Sequence, residues 1–433
     1  MAVAMMKTPA ETALAELFER SKSLLPGDAR SREDAFHRFA AAGLPHRRVE
    51  EWKYTDLRAN MRDAAPLAPV PSAETTRTAL ASPTLFAGLE PATIAFVDGH
   101  LAHRDAMPDG VTAVPLVEAL TSGHPLLARL GAIEAASGNA AYALNAAFFT
   151  DGVVLHVTGA VARPVALRFA ITGTKAVSTA TRVLIVAEAD TAFTLLETHE
   201  SENGVVHQPN NVVEFVVGDR AKLAHVRVDG LGDGALALST ITAHLGEKTE
   251  FGTRNLVVGS ALSRHQVYMT FAGSHAKGAI RGATMLKGDQ HADTTLVVDH
   301  RGTDCESREL FKTAIDGRAT GVFQGKIIVA PGAQKTDGKM MSACVLLSEE
   351  GTMNNKPELE IFADDVLCAH GATCGALDDD LLFYLMARGL PRPEAEALLI
   401  ESFLGEAMEE GLEDEALLEA LMGIVQGWLA ARG

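Results

Sequence analysis

A succession of short strand-like segments fills the chain from about residue 151 onward, and it constrains the fold more than any other feature of the sequence. The segments include GVVLHV, RVLIVAE, NVVEFVVG, QVYMTFAG and KIIVAPG. Almost nothing in this region has the periodicity of a helix. The centre of the chain is therefore predicted to be built from β-strands.

Glycines mark the ends of these segments at nearly constant intervals of 13 to 15 residues, although Gly252 and Gly278 interrupt the series. The regular positions are Gly218, Gly232, Gly246, Gly259, Gly273, Gly288, Gly302, Gly317 and Gly332. One strand and its turn per interval would form part of one coil of a β-solenoid, in which each coil stacks on the last. A β-sandwich is the alternative, but it usually shows more two-residue hairpin signals such as Asn-Gly. The spacing favours the solenoid.

Helical patterns occur at both ends of the chain and in one insertion. Thr8, Pro9 and Glu11 form a capping-box start for an N-terminal helix, and Asp378 can cap the first of several C-terminal helices. The predicted domains are a helical domain with a linker over residues 1–90, a β core over 91–376 with a helical insertion near 124–149, and a helical domain over 377–433.

The charge balance is strongly acidic. Lys and Arg number 38 against 56 Asp and Glu, a net charge of −18. Residues 377–433 alone carry 13 acids and 3 bases. This excess disfavours nonspecific binding to nucleic acid or anionic lipid. The acidic C-terminal segment would either attract a cation-rich partner or serve as a solvated face that keeps the protein in solution.

Cysteine usage and hydropathy indicate the compartment. The chain has four cysteines without paired spacing, and only the short MAVAMM precedes its first helical pattern. No run approaches 18 apolar residues, the length that a membrane-spanning helix needs. We therefore expect a reduced, cytoplasmic protein without a disulfide framework, a secretion signal or a membrane span.

Several common catalytic motifs are missing. GVFQGK has the wrong spacing for a Walker-type phosphate loop and continues into a strand, so the chain is predicted to have no ATP site. GLGDGA is not followed by a helix, and H-E-x-x-H, C-x-x-C and G-x-S-x-G are absent. No flavin motif is present either.

The remaining chemistry lies in CAHGATC, residues 368–374. If EIFADDVLCAH is the last strand of the β core, Cys368 and His370 stand at i and i+2 and project from one face, about 7 Å apart. That separation suits a third group from a partner, and thiolate with imidazole suits zinc, iron or an iron–sulfur cluster. The alternative is that Cys368 is a small buried hydrophobe and His370 a hydrogen-bonding residue near a strand end.

The other thiols and imidazoles show no ligand spacing. Cys344 lies in the apolar run SACVLLS and is predicted to be core, whereas Cys305, between Asp304 and Glu306, is expected to be exposed. We assign no role to the scattered histidines His100, His103, His199, His207 and His244.

The segment from Gly325 to Leu390 closely resembles the closing part of the SufB/SufD family of iron–sulfur cluster assembly proteins. Its P-E-L-E-I-F-A-D-D-V-L-C-A-H-G-A-T-C-G is similar to the SufD branch, since SufB usually has Glu-His-Glu-Ala where this chain has AHGA. EEWKYTDL, residues 50–57, is also similar to SufD. The middle of the chain matches mainly in pattern, and the first 45 residues add little.

This resemblance implies a mainly β fold, a right-handed parallel β-helix flanked by N-terminal and C-terminal helical domains. It implies pairing with a SufB-like paralogue through the closing strands, and binding of a SufC-like ATPase through the C-terminal helices, including residues 380–390. The isolated chain could instead form a homodimer through its unpaired solenoid end.

The resemblance also implies site residues. Cys368 and His370 match the family's cysteine and histidine at the paired interface, where a transient iron–sulfur cluster is assembled. Leu367 departs from a common lysine, and Cys374 stands where valine is usual. Cys374 is then either a spare thiol or an apolar substitution, and we favour the substitution because valine and cysteine have similar volumes, which would keep burial.

The residues and the resemblance leave three candidate functions. The first is a non-catalytic scaffold that contributes Cys368 and His370 to cluster assembly. The second is a β-helix enzyme acting on polysaccharide through Asp364 and Asp365, which the shortage of aromatic platforms, with two tryptophans and four tyrosines, disfavours. The third is a purely structural scaffold without metal chemistry.

Overall fold

The computed structural model describes residues 7–132 and 134–432, and its centre is a solenoid of parallel strands. Residues 1–6, most of the short apolar start, lie outside the described residues. Successive strands alternate between a ten-stranded and a nine-stranded sheet, so each coil gives one strand to each sheet. The predicted solenoid is confirmed, and the sandwich alternative is wrong because sandwich sheets are antiparallel.

The ten-stranded sheet contains β1 (Ala92–Val97), β2 (His100–Arg104), β5 (Val165–Ile171), β7 (Ala192–Ser201), β9 (Lys222–Gly230), β11 (Glu250–Val257), β13 (Lys277–Leu286), β15 (Glu306–Ile315), β17 (Asp337–Leu346) and β19 (Leu367–Gly375). The nine-stranded sheet contains β3 (Val111–Pro115), β4 (Asp151–Val157), β6 (Ser178–Ala187), β8 (Gln208–Val217), β10 (Leu236–Leu245), β12 (Leu262–Phe271), β14 (His291–His300), β16 (Thr320–Val329) and β18 (Thr352–Ile361).

The nine regularly spaced glycines all lie in corners between strands of opposite sheets. His291 pairs with Leu262 on one side and with Thr320 on the other, so the 14-residue interval of the sequence is half a coil. A Cβ atom at Gly273 or Gly302 would collide with the backbone of the corner in the preceding coil. Only glycine allows these corners to stack so closely.

Inward-facing residues of both sheets form a continuous apolar core inside the coils. Phenylalanines are prominent among them: Phe96, Phe169, Phe215, Phe271 and Phe323. Part of the interior is polar, and there Glu197 accepts a hydrogen bond from His225, whose other ring nitrogen is 3.0 Å from the Thr253 hydroxyl. Buried polar groups of this kind are tolerated in a protein interior because they form hydrogen bonds with one another.

The two ends of the solenoid differ. At the first end, β2 pairs antiparallel with β1, and β3 pairs antiparallel with β4. These antiparallel strands terminate the parallel ladders. At the other end, β18 and β19 are the outermost strands of their sheets. Among the described residues, one edge of each therefore has backbone groups without a strand partner, as is also true of β2 and β3 at the first end.

Helices cover the outer faces of both sheets. They are α1 (Pro9–Ser21), α2 (Ala29–Ala42), α3 (Leu57–Asn60), α4 (Ala73–Ala81), α5 (Leu116–Ser122), α6 (Glu134–Ser137), α7 (Ala140–Phe148), α8 (Asp379–Ala387), α9 (Arg392–Glu409) and α10 (Glu415–Arg432). The N-terminal helices share a core with the nine-stranded sheet, and α9 and α10 share one with the ten-stranded sheet. None of the helices in the described part of the chain is long and apolar enough to cross a membrane.

Both predicted helix starts are confirmed. The Thr8 side chain accepts from the Glu11 backbone N–H while the Glu11 carboxylate accepts from the Thr8 backbone N–H, and Asp378 caps α8. The EEWKYTDL segment holds the N-terminal helices to the solenoid, because Trp52 is fully buried there and Thr55 hydrogen-bonds to Asp293.

Candidate functional site at the open end of the solenoid

The predicted closing strand EIFADDVLCAH is two strands. Ile361 ends β18 in one sheet, residues 362–366 turn the corner, and Leu367 begins β19 in the other sheet. The Lys335 amide donates to the Asp365 carbonyl at 2.6 Å, which ties this corner to the coil below. Asp364 and Asp365 are exposed at this corner.

Cys368 and His370 lie on the inner face of β19. Cys368 is in register with Gly338 and His370 with Met340, and Met340 is a buried member of the interior core. Cys368 is half-buried and packs against that core. His370 is exposed, since no coil covers it. The two side chains thus point along one face at the mouth of the solenoid.

A glycine lies directly beneath Cys368. A Cβ atom on Gly338 would lie 3.6 Å from the Cys368 sulfur and 3.5 Å from the Ser307 hydroxyl oxygen. The Ser307 oxygen is in turn 3.1 Å from His300 Nε2. Because Gly338 has no side chain, it places no side-chain atom between the thiol and the Ser307–His300 pair inside the solenoid.

The thiol of Cys368 is held in its neutral form. Burial raises its pKa, and the charges of Asp337 and Glu309 add to that rise, while a hydrogen bond from the Gly338 backbone offsets part of it. A thiolate here would need a compensating positive charge, such as a metal ion or a cationic group from a partner.

Glu309 is a buried carboxyl group that the sequence reasoning missed. It lies on β15 in register with Met340 and is 2% exposed, and neither of its oxygens has a hydrogen-bond partner of good geometry among the described residues. Burial raises its pKa to about 8, although the nearby Ser307 hydroxyl favours the ionised form. The signal was its parity, because Glu309 alternates in phase with the core residues Phe311 and Ile315.

Two donors do not make a complete metal site. In the part of the chain that the structure describes, no group of three or more His, Cys, Asp or Glu residues is arranged to hold a metal ion. Cys368 and His370 therefore need at least one further donor from outside the chain if they bind iron. Of the histidines without an assigned role, His199 belongs to the interior polar network beside Glu197.

The other three cysteines test the expectations about exposure. Cys344 is buried as predicted. The expectation for Cys305 is wrong, because Asp304 turns with a positive φ of 55° and directs Cys305 into the core, where it is 1% exposed. The expectation for Cys374 is also wrong, since it is exposed: no further coil covers the end of β19.

Large apolar side chains are exposed close to this end. Leu367 is 72% exposed and Phe362 61%. The following helix α8 also exposes Leu381, Phe383, Tyr384 and Met386. Side chains of this size rarely cluster in water unless another surface covers them.

Comparison with known proteins gives two family matches. The core domain of SufBD proteins of the SUF system for FeS cluster assembly matches residues 169–403, and the N-terminal region of SufBD proteins matches residues 9–65. The first match covers more than half of the chain, including the open end of the solenoid.

Individual relatives agree with these matches. An iron–sulfur cluster assembly SufBD family protein of Synechocystis is 28% identical over 397 residues, which is 88% of this chain and 86% of that protein. SufD of Escherichia coli is 35% identical over 178 residues, 41% of this chain and 42% of SufD. SufD of Bacillus subtilis is 28% identical over 251 residues, 56% of each chain. The chain thus spans about half the length of these two SufD proteins.

Proposed function

The chain belongs to the SufBD family of iron–sulfur cluster assembly proteins, and from this membership we propose that it is a non-catalytic SufD-type scaffold subunit. It pairs with a SufB-like paralogue, binds a SufC-like ATPase, and contributes Cys368 and His370 to the assembly of a transient cluster. We propose that it works in the cytoplasm, in keeping with four free thiols. The observation that carries the proposal is the pair of soft donors at the mouth of an open solenoid.

The open end supports pairing with the paralogue. The outer edges of β18 and β19 have unpaired backbone groups, and a second parallel solenoid can continue both sheets. Ile361, Phe362 and Leu367 would bury apolar surface in the same contact. A homodimer through this edge is the corresponding state of the isolated chain.

The donor chemistry supports a role for Cys368 and His370 in cluster assembly. Thiolate and imidazole are ligands for iron and for iron–sulfur clusters. The cluster is the cargo of the complex, and the missing donors come from the paralogue across the interface. His370 is exposed toward that partner, while Cys368 is anchored in the core beneath it.

The C-terminal helices support binding of the ATPase. The sequence has no Walker-type loop of its own, so ATP hydrolysis belongs to the SufC-like partner. Helix α8 offers an exposed apolar surface, with Phe383 74% exposed. The acidic excess of residues 377–433 would attract a cation-rich partner surface. Movement of the ATPase would rearrange the shared interface.

The test is co-expression with the SufB-like and SufC-like partners, anaerobic purification, and measurement of iron and acid-labile sulfide. We expect Cys368→Ala and His370→Ala to leave the complex intact and to lower its cluster content strongly. Thr373→Ala, an exposed change on the same strand, is the matched control and should keep full cluster content.

The outcomes distinguish a cluster assembly site from a purely structural scaffold. Loss of cluster in an intact complex supports the assembly site. Full cluster content in both variants would contradict it and would favour a purely structural scaffold, in which the two residues only pack at the interface. Failure to form any complex with the wild-type chain would contradict the pairing itself.

A further inference from the structure

Two cysteines face each other in the last coil. Cys374 on β19 is in direct register with Cys344 on β17. Adjacent strands lie about 4.8 Å apart, and residues in register have side chains on the same face. Both are free thiols.

This geometry fits a disulfide. Bridged cysteines usually have Cα atoms about 4.4–6.8 Å apart, and neighbouring parallel strands fall within that range. Both side chains lie on the same face, so closing the bond needs rotation of the side chains and a small approach of the two Cβ atoms, but no shift of register.

The two thiols differ in access. Cys374 is exposed at the end of the solenoid, whereas Cys344 is 4% exposed and packs beside Leu286 and Ile315. Burial raises the pKa of Cys344, and the neighbouring Cys374 adds to that rise. An oxidant from solution therefore reaches Cys374 first. Cys344 remains a protonated thiol beside it and can react in the second step.

The remaining cysteines are out of reach of Cys374. Cys368 is six residues away on the same strand, about 20 Å along it. Cys305 precedes β15, and the residue of β15 in register with Cys344 is Thr313, near the other end of that strand. Cys344 is thus the one thiol that Cys374 can bridge without unfolding the coil.

We propose that Cys344 and Cys374 form a thiol–disulfide site that hydrogen peroxide oxidises. The Cys374 sulfur attacks one peroxide oxygen, the O–O bond breaks, and the leaving hydroxide takes up the thiol proton as water, which gives a sulfenic acid on Cys374. The Cys344 thiol then attacks that sulfur and expels the hydroxyl as a second water. In total, two thiols lose two hydrogen atoms and one hydrogen peroxide is reduced to two waters.

The bridge would fasten β19 covalently to β17. Because β19 carries Cys368 and His370, oxidation would fix the strand at the mouth of the solenoid. This site goes beyond the proposed function, since its chemistry needs only the two thiols and an oxidant. It would remain if Cys368 and His370 had no role in cluster assembly.

The experiment uses the full chain, reduced and then treated with hydrogen peroxide at neutral pH. Intact mass, thiol counting and peptide mapping follow. We expect the mass to fall by two hydrogen atoms, two of the four thiols to disappear, and a peptide linking Cys344 to Cys374 to form. A dithiol reductant should restore both thiols.

Single cysteine substitutions test which two thiols form the bridge. Cys374→Ser changes an exposed residue, so it should fold normally and form no intramolecular bridge, whereas Cys305→Ser should retain the bridge. A bridge in Cys374→Ser, a bridge to Cys368, or sulfinic acid on Cys374 with Cys344 still reduced would each overturn the proposal. Retention of all four thiols under peroxide would overturn it as well.

Discussion

The guanidinium carbon of Arg264 lies 3.8 Å from the centre of the Trp52 ring. Arg264 is on β12, donates to the Glu51 carbonyl at 2.7 Å, and forms an ion pair with Asp293 in the following coil. One arginine thus joins the N-terminal segment to two coils of the solenoid. A cation stacked on a desolvated indole is a strong contact.

Replacing this indole should destabilise the fold. We expect Trp52→Ala to lower the free energy of unfolding by about 3–5 kcal/mol, the usual cost of removing a buried aromatic side chain. Lys53→Ala, an exposed change at the next position, should cost less than about 0.5 kcal/mol. Chemical denaturation of both variants measures this, and equal losses would mean that Trp52 does not hold the two parts together.

The buried carboxyl group of Glu309 should make stability depend on pH. Its pKa is about 8 in the folded chain against 4.5 for an ordinary glutamate, so between these values the folded state retains a proton that the unfolded state releases. Stability therefore falls as pH rises from about 4.5 to 8, and does not change further above that range from this group.

The variant Glu309→Gln should remove this fall. Relative to the wild type, its free energy of unfolding should increase with pH across the same window, by up to several kcal/mol. Denaturation curves between about pH 5 and 8.5 measure the difference. Parallel pH profiles for the two proteins would show that Glu309 is ionised in the folded state.

Alkylation should distinguish the four thiols. Cys374 is exposed, Cys368 is half-buried with a raised pKa, and Cys305 and Cys344 are buried. Under native conditions iodoacetamide should modify Cys374 first, Cys368 more slowly, and the other two only on unfolding. Mass spectrometry of timed samples measures the order. Early modification of Cys305 would contradict its place in the core.

The exposed face of α8 should affect binding without affecting folding. Phe383 is 74% exposed and its neighbour Leu382 is 4% exposed. We expect Phe383→Ser to unfold like the wild type but to bind the SufC-like ATPase at least tenfold more weakly, about 1.4 kcal/mol.

The neighbouring Leu382→Ser is the matched comparison, and it should lower stability by about 2–5 kcal/mol. Thermal unfolding and a titration with the purified ATPase measure both effects. Unchanged affinity of Phe383→Ser would remove this face from the proposed contact.

Much of the fold was predictable because its signals are local. The capping box at Thr8 and the cap at Asp378 act within one helical turn, so the sequence alone identifies them. The glycines at the corners can also be recognised in the sequence, since stacked coils leave no room for a Cβ atom at positions such as Gly273. The two-sheet arrangement follows from the same spacing once each interval is assigned to half a coil.

The exposure of individual side chains was less predictable, because it depends on the neighbouring coils. Cys305 stands between two acids, yet a positive φ at Asp304 turns it inward. Cys374 has the pattern of a core residue, yet it lies on the outermost strand. Glu309 is in phase with the core residues of β15, but its charge argues for exposure, and the register with Met340 shows that it is buried.

The two ends of the solenoid would behave differently in an assembly. At the first end the outermost strands β2 and β3 run antiparallel to their neighbours, whereas β18 and β19 run parallel to theirs. A second solenoid that continued the coil pattern would therefore match the end formed by β18 and β19. If two such ends met, each would cover the other's edge, and a contact of this symmetric kind closes at two molecules instead of growing into a fibre.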